Sequence, residues 1–104
     1  MTTAYLNGEY LPLEEARISP MDRGFLFGDG IYEVIPSYGG KMVGFGPHIE
    51  RMQHGLESIQ LKLDWSKEQW HELCDSLMEK NGNGNLGIYL HVTRGAEAKR
   101  NHAY

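Results

Sequence analysis

The sequence has little cysteine, no surplus of positive charge and no long apolar run. Cys74 is the one cysteine among 104 residues, so no disulfide forms within the chain, which suits a reducing compartment. The ten Lys and Arg residues are scattered and the formal net charge is −4, which argues against a general nucleic-acid surface. No apolar run approaches the roughly 20 residues of a membrane helix, and the opening MTTAYLNGEY does not resemble a signal peptide. We therefore expect a cytoplasmic protein that binds neither nucleic acid nor membrane.

Motifs for metals and nucleotides are missing as well. The five histidines show no ligand spacing with a carboxylate or thiol partner, so no metal site is predicted. There is no GxxxxGK[ST] phosphate loop, no GxSxG elbow and no internal repeat. Cys74 falls within an amphipathic pattern and is interpreted as a small buried hydrophobe. The length and the 40% hydrophobic content fit one domain over residues 1–104 with one modest core.

The most unusual stretch is Asp22 to Val34, DRGFLFGDGIYEV, in which three glycines stand among aromatic and charged residues. A solvated loop favours Ser, Asn and Pro, whereas glycine beside aromatics favours a tight, partly buried turn. Spacing alone leaves two interpretations open. The stretch is either a β-turn that carries two core phenylalanines or a functional loop.

Alternation and turn signals predict several antiparallel strands. Asn-Gly and Gly-Gly dipeptides between such runs are hairpin signals, and residues of alternating polarity place one strand face on a core. The predicted elements are a hairpin over 3–12 that turns at Asn7-Gly8, a strand over 31–38, a turn at Gly39-Gly40, a returning strand over 41–45 and a last strand over 86–93.

Two stretches have the period of an α-helix. The first begins at Pro47, and the second begins with a capping box formed by Ser66 and Gln69 and ends at Gly82 or Gly84. The fold class is therefore α+β, an antiparallel β-sheet with two α-helices packed on it. The apolar stripes that face the sheet are Ile49, Met52, Leu56, Ile59 and Leu63 in the first helix, and Trp70, Leu73, Cys74, Leu77 and Met78 in the second.

Two residues of the strand over 31–38 are unusual for their positions. Glu33 shares a face with Ile31 and Ile35, so it either meets water at a sheet edge or is a buried carboxylate that needs a partner. Pro36 has no N–H to donate to a ladder, which favours an edge position or a bulge there.

Arg51 lies on a different helix face from the apolar stripe, together with His48 and Gly55. The commoner fate of such an arginine is a solvated surface charge. Glycine, however, costs a helix roughly 1 kcal/mol relative to alanine, and the missing side chain of Gly55 would leave room beside Arg51 for a bulky group. The pattern therefore favours a binding role for Arg51.

Taken together, DRGFLFGDGIYEV, HIERM at 48–52, and VTRG at 92–95 followed by KRNHAY resemble the N-terminal domain of fold-type IV pyridoxal-phosphate enzymes. Within this group the motifs are most similar to those of D-amino acid aminotransferases. The ending RNHAY is what distinguishes these enzymes from the others. Branched-chain aminotransferases and aminodeoxychorismate lyases share this domain and remain alternatives. A further alternative, of another class, is a non-catalytic module that binds an anion or a partner.

The resemblance implies a role for each matching residue. Arg51 matches the arginine that contacts the phosphate of pyridoxal 5'-phosphate, and Tyr32 matches a tyrosine that holds the substrate carboxylate. Arg100 and His102 match a pair that reaches across from the partner subunit of a homodimer to complete the carboxylate site, with Lys99 as a competitor for the role of Arg100. The resemblance places the catalytic lysine, which binds the cofactor covalently, in a C-terminal domain beyond Tyr104. We therefore expect an N-terminal domain fragment that contains no catalytic residue and is inactive alone.

Overall fold

The computed structural model describes residues 2–96 of the chain. None of the helices in that range is long and apolar enough to span a membrane. The elements in chain order are β1 (Thr3–Leu6), β2 (Glu9–Pro12), a 3-10 turn (Leu13–Glu15), α1 (Arg23–Phe27), β3 (Gly30–Tyr38), β4 (Lys41–Met42), α2 (Phe45–Ser58), α3 (Lys67–Lys80) and β5 (Leu86–Thr93).

The described strands form a two-stranded hairpin and a three-stranded antiparallel sheet of order β4-β3-β5. Asn7 and Gly8 have positive φ angles and join β1 to β2, as the Asn-Gly signal predicts. β3 pairs with β5 from Gly30 through Ser37, whereas β4 pairs only with Ser37 and Tyr38. Among the described residues, the other edge of β3 is therefore unpaired over most of its length.

The core lies between one face of the three-stranded sheet and helices α2 and α3. Strand alternation and helical period both place their apolar residues as predicted, and this confirms the α+β fold. Ile59 and Leu63 follow the end of α2 and are less buried than the rest of the predicted stripe. The buried hydrophobic residues are Ile35, Ile49, Met52, Leu56, Trp70, Leu73, Cys74, Met78, Ile88 and Leu90.

Both ends of α3 follow from local sequence. Ser66 and Gln69 form the predicted capping box. At the other end Gly82 has a φ of 92°, and its N–H and that of Asn83 bond to the carbonyls of Glu79 and Met78, which is the Schellman arrangement. Asn81 also exchanges two hydrogen bonds of 2.9 Å with the backbone of Thr3. This contact fastens the opening hairpin to the end of α3.

The glycine-rich stretch forms a short helix rather than the β-turn that one interpretation predicts, and the other interpretation, a functional loop, stays a prediction. Asp22 caps a short helix, α1, whose left-handed C-cap is Gly28. Phe25 and Phe27 are 69% and 67% exposed, so the prediction of a partly buried turn with core phenylalanines is wrong. Gly24 does make a close approach, because a Cβ there would lie 2.3 Å from Thr93 Cγ2. The glycine therefore packs α1 against β5.

Two further predictions are corrected. The returning strand predicted over 41–45 contains only Lys41–Met42, because Gly44 adopts a left-handed φ of 71° and caps α2, which begins at Phe45 rather than Pro47. Pro36 lies in the middle strand of the sheet rather than at its edge. Its carbonyl accepts from Val43 on the side of β4. In a strand the N–H and C=O of one residue point to the same side, so the missing N–H of Pro36 also faces β4. The paired residues of β4 lie opposite Ser37 and Tyr38 and not opposite Pro36.

Candidate functional site

Glu33 is a buried carboxylate at the centre of the candidate site. Its side chain, on the helix-facing side of β3, is 5% exposed. Arg51 donates from Nε to Oε2 and from Nη2 to Oε1, both at 2.7 Å. Oε1 also lies 2.7 Å from Nδ1 of His48. Of the two possibilities that the sequence leaves open, Glu33 is thus the buried carboxylate with partners.

These contacts keep Glu33 ionised. Hydrogen bonds from Arg51 act most strongly and hold the pKa of Glu33 at about 2, against the opposing effect of burial and with a further contribution from His48. The pair also raises the pKa of Arg51. Because an ionised carboxylate only accepts hydrogen bonds, Nδ1 of His48 is the donor in that contact. The second ring nitrogen, Nε2, is then directed away from Glu33.

The side chain of Arg51 contacts the buried Glu33 carboxylate and is itself exposed to solvent. Its side chain is 71% exposed, and Nη1 has no hydrogen-bond partner among residues 2–96. Because a guanidinium is planar, fixing Nε and Nη2 on Glu33 also fixes the direction of the remaining N–H groups. A pocket of about 260 Å³ is lined by Gly44, Pro47, His48 and Arg51. The arrangement presents cationic donors to a bound anion.

Gly55 does not leave the open space that the sequence pattern predicts. A Cβ at Gly55 would lie 3.1 Å from Cδ1 and 3.3 Å from Cγ2 of Ile31. The missing side chain therefore lets α2 approach β3 closely. This close packing brings Arg51 and His48 within reach of Glu33.

Tyr32 lies on the opposite face of the sheet from Glu33. It is 62% exposed and stacks on Tyr89 of β5, with ring centroids 5.7 Å apart and planes inclined by 19°. Within the described chain its hydroxyl has no hydrogen-bond partner. The structure thus places Tyr32 and Arg51 on the two sides of β3, and the unpaired edge of that strand lies between the two faces.

The VTRG segment is anchored to the start of β3. Asp29 accepts from Nε of Arg23 at 3.0 Å and from Nε of Arg94 at 2.7 Å. These bonds, led by that from Arg94, lower the pKa of Asp29. Arg94 also donates to the carbonyl of Ile59 at 2.6 Å. Asp29 thus links α1 to the end of β5, and Arg94 links the end of β5 to the end of α2.

Other predicted site residues lie outside the described chain. Arg100 and His102, and the competing Lys99, belong to residues 97–104, so their predicted roles are not tested. Between residues 2 and 96 no group of three or more His, Cys, Asp or Glu side chains is arranged to hold a metal ion. Burial raises the pKa of the Cys74 thiol to about 12, so this residue is a core hydrophobe rather than a nucleophile.

A model of the family described as Amino-transferase class IV matches residues 30–104 of the chain. The chain belongs to this family. Over all 104 residues it is 44% identical to a D-alanine aminotransferase of Staphylococcus epidermidis, of which it covers 36%. This class IV chain therefore spans about a third of the length of the curated relatives that it matches.

Solved structures share the fold of this class IV domain. A branched-chain aminotransferase of the archaeon Thermoproteus uzoniensis, solved with norvaline, superposes with a TM-score of 0.83 and 18% identity, over 98% of this chain and 36% of that one. A proposed 4-amino-4-deoxychorismate lyase of Legionella pneumophila superposes with a TM-score of 0.76 and 24% identity, over 88% of this chain and 33% of that one. These similarities confirm the fold-type IV resemblance.

Sequence reasoning did not connect Glu33 with its partners. The sequence left Glu33 either at a water-facing sheet edge or buried with an unnamed partner, and it placed His48 and Arg51 on one helix face without linking them to Glu33. The signal that connects them is a carboxylate on the core-facing side of a strand, followed by two basic residues three positions apart on the next helix. When that helix packs beside the strand, the helix face with both basic residues lies next to the carboxylate.

Proposed function

We propose that this chain is the N-terminal domain of a pyridoxal 5'-phosphate-dependent transaminase, which transfers an amino group between a D-amino acid and a 2-oxo acid. The observation that carries the proposal is the 44% identity with a D-alanine aminotransferase along the whole chain. The catalytic lysine of the complete enzyme would lie in a further domain, and the 104 residues alone would be inactive. The complete enzyme would be a cytoplasmic homodimer.

The donors around the pocket fit the phosphate of the cofactor. The N–H groups of Arg51 that do not contact Glu33 suit a phosphate oxygen, since charge-assisted bonds from a guanidinium to phosphate are among the stronger ones in proteins. When bound, pyridoxal phosphate supplies an electron sink for bond breaking at the α-carbon of the substrate. The role of Arg51 is to hold the phosphate and so keep the cofactor at a fixed distance from the sheet.

The residues proposed for the substrate carboxylate are Tyr32 of this protomer with Arg100 and His102 of the partner. Stacking on Tyr89 restricts the ring of Tyr32 and leaves the hydroxyl available. Holding the carboxylate at one place determines which side of the cofactor the α-hydrogen faces, and so contributes to the choice between D- and L-amino acids.

The direct test is an assay of the complete enzyme that carries this domain. We expect pyruvate to form from D-alanine with 2-oxoglutarate, with L-alanine and branched-chain L-amino acids poor donors. Pyruvate release from aminodeoxychorismate without an amino acceptor would instead identify a lyase. Preferential reaction with branched-chain L-amino acids would also overturn the proposal.

Tyr32→Phe tests the substrate site in the same enzyme. Removing one hydrogen bond to a charged carboxylate should raise the KM for D-alanine by about tenfold or more and leave cofactor affinity unchanged. Tyr38→Phe is the matched control, because Tyr38 is on the same face of β3 and is 60% exposed. Equal KM values for the two variants would remove Tyr32 from the site.

A further inference from the structure

Every polar atom of the Glu33 side chain is used to hold another residue. One oxygen accepts from Arg51, and the other accepts from both Arg51 and His48, each contact at 2.7 Å. The carboxylate is buried on the core side of β3, whose backbone is fixed by its ladder with β5. Glu33 therefore has a rigid base from which it holds two side chains of α2.

An exposed arginine that lacked such a partner would have many conformations in water. Ordering an arginine side chain costs conformational entropy, and a ligand that binds a mobile arginine bears that cost on binding. Here the two bonds to Glu33 hold one edge of the Arg51 guanidinium before any ligand arrives. The opposite edge is consequently restricted as well, and Arg51 lines a pocket together with Gly44, Pro47 and His48.

We propose that Glu33 is a positioning residue, which orients the free edge of Arg51 for an anionic ligand of the phosphate class. The proposal rests on the proposed function, in which that ligand is the cofactor phosphate, and adds a residue to which the resemblance assigns no role. Glu33 acts on the ligand only through Arg51. Its own negative charge opposes anion binding, so its contribution comes from geometry and not from charge.

A variant that changes the geometry at residue 33 but keeps its negative charge therefore tests the proposal. Glu33→Asp keeps the negative charge but withdraws the carboxylate by about 1.5 Å, the length of one C–C bond, so the two-bond contact with Arg51 is lost. Glu50→Asp is the matched control. Glu50 is the neighbour of Arg51 in the chain, is 68% exposed and contacts Lys67 at 3.5 Å.

The probe is inorganic phosphate, titrated at constant ionic strength into the ¹⁵N-labelled 104-residue chain and followed at the Nε–H resonance of Arg51. We expect Glu33→Asp to weaken phosphate binding by about tenfold and Glu50→Asp to leave it unchanged. In an Arg51→Lys background, which has no guanidinium edge to orient, Glu33→Asp should have no further effect on phosphate-induced shifts of the backbone amides. A charge role predicts instead that Glu33→Asp binds as the wild type does.

A measurement on the wild-type chain covers the case in which Glu33→Asp does not fold. ¹⁵N relaxation should show the Nε of Arg51 as restricted. The Nε of Arg17, an exposed arginine that bonds through Nη1 alone to nearby backbone carbonyls, should be more mobile. Equal mobility of the two, wild-type affinity in Glu33→Asp, or no response of Arg51 to phosphate would each overturn the positioning role. Failure of the D-alanine assay would overturn the proposed function without changing these results.

Discussion

At the scale of single residues, removing Arg51 and removing Glu33 should lower the free energy of unfolding by different amounts. Arg51→Ala leaves a buried carboxylate with His48 as its one described partner, so we expect a clear loss of stability. Glu33→Gln leaves an exposed arginine that turns to water, so we expect a smaller loss, about 1–2 kcal/mol. Urea unfolding of the chain measures both, with Arg17→Ala as a surface control expected within about 0.5 kcal/mol of wild type. The reverse order would contradict the burial of Glu33.

The same residue makes stability depend on pH. The pKa of Glu33 falls from 4.5 to about 2 on folding, so its contribution is fully present above about pH 4.5 and is lost as the pH falls through about 2. The difference in unfolding free energy between wild type and Glu33→Gln should therefore be constant near neutrality and shrink below pH 4.5. Glu50→Gln, at an exposed position, should show no such trend. A constant difference down to pH 3 would be inconsistent with the ion pair.

At the scale of elements, the packing of α2 on β3 depends on Gly55. Alanine is preferred to glycine in a helix by about 1 kcal/mol, but a Cβ here meets Ile31 at 3.1 Å, so we expect Gly55→Ala to bring no gain in thermal stability. Adding Ile31→Val, which removes the nearest methyl, should relieve the contact, and the two changes should be non-additive. Glu57→Ala, at an exposed position of α2, is the control and should change stability by no more than about 0.5 kcal/mol. Additive effects would argue against the close contact.

Most elements are predictable because each has a local signal. The capping box of α3, the alternation of β3 and β5, and the Asn-Gly turn are all short-range patterns. The exceptions are two elements whose type or length is determined by tertiary structure. The helical turn at Arg23–Phe27 is too short for a periodic signal, and β4 ends early because Gly44 turns the chain into α2.

At the scale of the whole molecule, the two halves of the candidate site lie on opposite faces of one thin sheet. The roles of Arg51 and Tyr32 come from the resemblance and stay predictions, and the family match spans both residues. The sequence signal for a contact between Glu33 and Arg51 is not sufficient by itself, because the contact depends on how α2 crosses β3. The sheet face that carries Tyr32 also exposes Val34, Tyr38 and Tyr89.

The central claim is that Arg51 binds the cofactor through its phosphate. The measurement is the affinity of the complete enzyme for pyridoxal 5'-phosphate relative to pyridoxal, in the wild type and in Arg51→Ala. Because charge-assisted hydrogen bonds contribute about 1.5–3 kcal/mol, we expect the substitution to reduce the preference for the phosphate ester by about tenfold or more, and Arg17→Ala to leave it unchanged. An undiminished preference in Arg51→Ala would contradict the account.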